Sequence, residues 1–378
     1  MKPLRGSIAY LFATRLVINT GYRFVFPFLP AISRGLGVSL EQAGLLVSAR
    51  SLTGVATPLV VSAIGRGERR IRLTVGGALL FAAGAAVTAS TGLYAGALVG
   101  FILMGLGKPA FDAAAQAYIA DRTPYEKRAR YLSIIELTWA GGLLIGAPAA
   151  GVLIDRLGWE SPFWVTAVLV GCGALLAPLL LDPDARGRVA RPGRLRLTRS
   201  AVAVLVMALL FSLAAETTVI VYGAWLENEF ALSLAALGLA SLVIGLAELA
   251  GEGVVLAFAD RIGKRRMVAM GMAVSAAGFV ALGALSGGLV PGLTALAIAF
   301  IAFEITVVAT IPLATEVVPG ARSRYLALLT VAISLGRAAG DALGPALFEW
   351  GGLVANTTVS AVAGAASLLV LLGFTERE

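Results

Sequence analysis

The chain has 378 residues, of which 58% are hydrophobic and only 14% charged, with a mean hydropathy of +0.89 and a formal net charge of +8. Soluble domains run nearer a quarter charged, so a chain this apolar lacks the polar surface to cover a soluble core and reads as an integral membrane protein. With no His and Cys172 as its single cysteine, it cannot close an internal disulfide and offers no ligand set for zinc or an iron–sulfur cluster.

Apolar runs between polar breaks number twelve, each long enough for a hydrocarbon core that takes about 20 residues per helix. They lack the every-second-residue alternation of outer-membrane strands, so the expected fold is all-α. The opening "MKPLRGSIAYLF" is basic and then apolar, like a signal peptide. It has no clear small-x-small cleavage site and Arg15 interrupts the run, so it reads as a retained first helix. Span 1 (8–33) carries Arg15, Asn19 and Arg23 four residues apart, a polar stripe about 12 Å long flanked by Tyr22 and Phe26. Span 2 (40–64) holds Arg50, span 3 (73–91) no charge, and span 4 (94–119) Lys108 and Asp112. Span 5 (131–154) holds Glu136 and Trp139, followed by Gly142, Gly146, Pro148 and Gly151; span 6 (161–181) is uncharged and contains Cys172, expected to serve helix packing. The stretch 182–200, rich in Arg, Pro and Gly, is the expected cytoplasmic linker between six-helix units at 1–181 and 201–378. Span 7 (201–226) carries Glu216, span 8 (232–258) Glu248 and Glu252, and span 10 (289–314) Glu304. Span 11 (325–348) carries Arg337 and Asp341, while spans 9 (267–286) and 12 (354–374) carry none.

Of the 30 basic residues, 23 fall on the side of the N-terminus, two (Arg34 and Arg156) on the other side, and five inside spans. The positive-inside rule then places both termini in the cytoplasm and the chain in the cytoplasmic (inner) membrane. The basic charge is topological, which argues against a nucleic-acid partner. Trp159, Trp225 and Trp350 fall near the outer ends of spans, where interfacial anchors are expected.

The halves echo each other. "RYLSII" at Arg130 returns as "RYLALL" at Arg324, and the same offset aligns Gly142 with Gly336 and Gly146 with Gly340. The basic loop "GRGERRIR" (65–72) likewise returns as "DRIGKRR" (260–266), giving two six-span repeats of the same orientation. "FADRIGKRR" (258–266) resembles the loop signature between the second and third spans of each half in the major facilitator superfamily. "AYIADRTPYEKRARYL" (117–132) is similar to the same family, and "GLLIGAPAAGVLIDRLGW" (142–159) resembles the span-5 motif of its antiporter members. Two positions depart from the pattern: Gly65 stands where the first loop's aspartate is expected, and Phe101 where many drug antiporters place an arginine. The resemblance implies two pseudo-symmetric six-helix bundles around a central cavity. It also implies that Asp260, with Arg261, Gly263 and Arg265, latches the cytoplasmic face by approaching a helix N-terminus across the interface. Gly142, Gly146, Pro148 and Gly151 then either pack or kink span 5, or control leak.

A bare charge in lipid is costly, so span-embedded charges face a bundle interior or water. Twelve such charges avoid spans 3, 6, 9 and 12 altogether, an outcome that even scattering would give about once in a hundred. Every third helix therefore faces lipid, and the other eight surround a polar path. Arg15 either snorkels, bridges structurally or joins the cavity, and the residues expected to line the cavity and bind substrate are Arg15, Asn19, Tyr22, Arg23, Phe26, Arg50, Lys108, Asp112, Trp139, Arg337 and Asp341. Lys108/Asp112 and Arg337/Asp341 are i,i+4 pairs that either stay neutralised or exchange partners as the halves rock. Glu216 and Glu304 have no cation one turn away on their own helices, which makes them first candidates to carry protons, with Glu136 next. Glu248 and Glu252 form a like-charge pair.

The expected function is secondary active transport by alternating access, in the direction of efflux, as proton-coupled antiport of a small amphiphilic organic molecule. Importing or facilitating an organic anion, or flipping a lipid or lysolipid, are the alternatives. No cofactor and no enzymatic activity are expected; the expected partners are the substrate, protons and membrane lipid, with the chain a monomer.

Overall fold

The computed structural model describes residues 4–56, 70–182, 195 and 197–374, and each of the twelve spans is helical over its described part, apart from short breaks. The end of span 2 (57–64), Gly65 and most of its loop, most of the 182–200 linker and Arg377 lie outside the described residues.

Several spans are interrupted. Span 1 is two helices, Leu4–Arg23 and Leu29–Leu36, parted around Pro27, which has no N–H to give a helix. Span 7 parts likewise, into Arg199–Val219 and Tyr222–Phe230, within the β-branched run Thr217–Val221. Span 12 supports that break, since the Asn356 amide donates to the Thr217 and Gly344 carbonyls at 2.8 and 2.7 Å. Span 5 contains a π-helical turn at Gly142–Gly146. Spans 11 and 12 run from Arg322 to Phe374 and separate only at Gly351 and Gly352, the latter at φ 62, where a missing Cβ removes the steric penalty.

Spans 1–6 and 7–12 form two bundles. Small residues bring the helices together: a Cβ at Gly107 of span 4 would lie 2.6 Å from the Gly77 carbonyl of span 3. Spans 3, 6, 9 and 12 turn Leu79, Val168, Val280 and Val362 outward. Cys172 is exposed on span 6 rather than packed, because its helix faces away from the bundle. Trp159 and Trp225 also differ from interfacial anchors. Both are buried, Trp159 against Gly35 and Trp225 donating to the Ser286 carbonyl at 3.1 Å, whereas Trp350 is 84% exposed.

The halves meet at the end away from the basic loops. Span 2 lies on span 11 through Gly44 and Pro345, span 5 on span 8 through Gly151 and Leu234, and span 1 on span 7 through Pro27 and Gly223. Toward the basic end they diverge.

Candidate functional site

Between the halves lies a cavity of about 850 Å³. Spans 1, 5, 7, 8, 10 and 11 contribute its walls, and none of its lining residues comes from spans 3, 6, 9 or 12; spans 2 and 4, expected among the eight around the path, line none of it, because their charges are engaged behind the wall. Its inner wall is aromatic, with Tyr22, Phe26, Trp139, Tyr222, Phe300 and Phe303. Exposed Leu256 and Ile311 mark the mouth, at the end that carries the basic loops.

The polar stripe of span 1 divides along its length. Arg15 is held within the first bundle, its Nε on Asp112 at 2.9 Å, Nη2 on Glu136 at 3.0 Å and Nη1 on the Ile135 carbonyl at 2.7 Å. Lys108 pairs with the other Asp112 oxygen, and Gln116 donates to Glu136 at 2.9 Å, so one network ties spans 1, 4 and 5. Asn19 donates to Thr138 at 3.0 Å. Arg15, Asn19, Lys108 and Asp112 are thus absent from the cavity lining, a correction to their placement from sequence. Each found a partner inside its own bundle, which hydropathy alone does not reveal. Glu136 does reach the lining, but as a carboxylate already engaged by Arg15.

Arg23 stays in the cavity and crosses it. Its guanidinium forms a two-pronged pair with Glu248 of the other half, both N···O distances 2.6 Å, and donates to the Trp139 carbonyl at 2.9 Å. Such fork-on-carboxylate geometry fixes orientation as well as charge. The Trp139 ring gathers cations: its centroid is 4.3 Å from Arg23, 5.3 Å from the Lys108 ammonium and 5.6 Å from Arg337.

The acids of the second half differ in their company. Glu216 lies 3.7 Å from the Arg337 Nε, an ion pair without a hydrogen bond. Arg337 therefore serves span 7 instead of Asp341 on its own helix; Asp341 accepts from Ser51 of span 2 at 2.6 Å and lies outside the cavity. Glu304 lines the cavity, is 6% exposed, and has no hydrogen-bond or ion-pair partner among the described residues. Glu252 lines the mouth, half-buried. Arg50 is the other departure: it sits behind the cavity wall, 1% exposed, its charge over the Tyr22 ring at 3.7 Å.

Comparison with known proteins agrees with this architecture. The family model of the Major Facilitator Superfamily matches twice, over residues 11–214 and 201–378. The chain belongs to the Major Facilitator Superfamily. It is 32% identical over 166 residues to the uncharacterized transporter YgaY of Escherichia coli O157:H7, covering 43% of this chain and 41% of that protein. This chain thus matches about two-fifths of YgaY's length. The tetracycline resistance protein, class C, of Escherichia coli is 27% identical over 297 residues, 73% of each chain. Among solved structures, a bacterial homologue of the human lysosomal transporter Spinster, inward-facing and unoccupied, superposes with a TM-score of 0.73 at 15% identity, over 98% of this chain and 95% of that one.

The residues that carry the Major Facilitator signature sit at the diverging end. Gly263, at φ 85, makes the turn from span 8 into span 9, and Arg265 donates to the Leu371 carbonyl at 3.2 Å. Asp260 and Arg261 are exposed, and Asp260 has no hydrogen-bond or ion-pair partner among the described residues. The span-5 glycines serve close approach on two sides. A Cβ at Gly142 would lie 3.0 Å from the Asn19 carbonyl and one at Gly146 2.3 Å from Thr20, both on span 1. One at Gly151 would lie 2.6 Å from the Leu234 carbonyl of span 8, and the Pro148 Cα is 2.9 Å from a Cβ built on Gly238.

Proposed function

We propose that the protein exports a small amphiphilic organic molecule by alternating access, in exchange for protons. The two units, 1–181 and 201–378, rock about the cavity, and the substrate enters from the cytoplasm, where both termini lie in this reading. The aromatic wall accepts the apolar part of the substrate and the acids its polar part. The carrying observation is Glu304, a carboxyl on the cavity wall with no ion-pair or hydrogen-bond partner among the described residues. It can take up a proton without breaking an ion pair, and a protonated or substrate-occupied acid excludes the other ligand, which is the requirement for exchange. Glu216 stands second, because Arg337 lies beside it. Glu136 stands third, since Arg15 must release it first. Resemblance to a protein named for tetracycline resistance supports the outward direction. The protein works as a monomer in the inner membrane, its cavity lying between its own two halves.

The test is uptake of amphiphilic dyes into inverted proteoliposomes under an imposed pH gradient. The wild-type protein accumulates substrate only with the gradient, and Glu304→Gln abolishes accumulation while leaving binding or downhill exchange. Accumulation unchanged in Glu304→Gln would sink the assignment, and accumulation without any gradient would sink proton coupling.

A further inference from the structure

Two buried charges stand outside the cavity and outside every ion pair. Arg50, 1% exposed, donates from Nη1 to the Tyr22 carbonyl at 2.6 Å, and its guanidinium lies 3.7, 5.5 and 5.6 Å from the rings of Tyr22, Phe26 and Phe101. Among the described residues, its Nε and Nη2 have no hydrogen-bond partner. Asp341, 0% exposed, accepts from Ser51, and its Oδ1 has no hydrogen-bond partner among the described residues. The charged side chains placed around it are Glu216 of span 7, Arg337 of its own helix and Arg50, next to its partner Ser51 on span 2. Arg337 is turned to Glu216, which leaves Arg50 as the remaining cation.

Arg50 and Ser51 are neighbours on span 2, about 100° apart around the helix. The short hydroxyl faces span 11, while the guanidinium turns toward spans 1 and 4. Here spans 2 and 11 are in direct contact: Ser48 donates to the Ala338 carbonyl at 2.7 Å, and Gly44 and Gly54 meet Pro345 and Ser334. A short serine bridges a closed interface; only a long side chain can reach the same carboxylate once the helices part. An unmatched buried charge is costly, and here two of opposite sign lie on adjoining helices of the two halves, with Ser51, the residue next to Arg50, already on Asp341.

We infer that Arg50 and Asp341 form a charge switch between the halves. With the end away from the basic loops closed, Asp341 is held by Ser51 and Arg50 rests in its aromatic cage. When spans 2 and 11 part at that end, Arg50 leaves the cage and pairs with Asp341, stabilising the open arrangement. This rests on the rocking proposed above.

The test measures distances between spin labels at Glu41→Cys and Glu349→Cys, exposed positions at the far ends of spans 2 and 11, in a Cys172→Ser background. Wild type gives a short (closed) and a long (open) population. Arg50→Gln and Asp341→Asn each lower the open-to-closed ratio about tenfold, within the range shown by coupled neighbours, and the double variant lowers it no further. Ser51→Ala raises the ratio. If Arg50→Gln does not fold, the opposite shifts of Asp341→Asn and Ser51→Ala decide the matter. Additive effects of Arg50→Gln and Asp341→Asn, or an open shift on Asp341→Asn, would overturn the switch while leaving the rocking intact. A single population in every variant would sink the rocking itself.

Discussion

At the scale of single residues, the deciding fact is which partner each buried charge finds. Arg23 and Glu248 are 225 positions apart, yet their side chains, 5% and 3% exposed, form the tightest inter-half contact in the cavity. Removing one partner of such a pair leaves the other charge buried, at a cost of about 3–5 kcal/mol. Glu248→Gln is therefore expected to lower the thermal unfolding midpoint in detergent. Adding Arg23→Gln should cost less than the sum of the single changes, because the stranded guanidinium goes with it. Equal, additive losses would show that the two do not act as a pair. The sequence displays such charges but not their matching. The spacing of Lys108 and Asp112 does correspond to a pair, since both lie on one helix, whereas the same spacing in Arg337 and Asp341 does not: tertiary neighbours Glu216 and Ser51 took each of them first. Glu248 read as half of a like-charge pair because its cation comes from the other bundle.

At the scale of elements, small residues decide how near the helices come. Gly76 and Gly77 are adjacent on span 3 but meet different surroundings. A Cβ at Gly76 meets nothing within 4 Å, whereas one at Gly77 lies 2.6 Å from the Phe111 backbone N. Gly76→Ala is expected to stabilise by about 0.5–1 kcal/mol through helix propensity. Gly77→Ala is expected to destabilise by about 1–3 kcal/mol, since backbone cannot yield as a side-chain tip can. Chemical unfolding of the two variants side by side checks the signs, and equal effects would refute the close crossing of spans 3 and 4. The span limits were legible in hydropathy, because burial in lipid needs length and apolarity only. The interruptions were not. Pro27 lies in a run that remains apolar on either side, and the span-7 break falls within five β-branched residues, Thr217 to Val221, a signal that hydropathy averages away.

At the scale of the molecule, the cost of a bare charge in lipid separates eight helices from four. Spans 3, 6, 9 and 12 carry no embedded charge, and none of the cavity lining comes from them. That much of the site could be read from the chain, because desolvation acts on each charge regardless of its partners. Which residues line the void could not, because partners within one bundle withdrew Arg15, Lys108 and Asp112 from it. The central claim is that charge placement traces a wet passage between the halves. Its most direct measurement is labelling by a membrane-impermeant thiol reagent in sealed vesicles of each orientation, on a Cys172→Ser background. Val307→Cys, on the cavity wall of span 10, should react from the side of the basic loops, and Val280→Cys, exposed on span 9, should not react from either side. Labelling of Val280→Cys with Val307→Cys protected would contradict the account.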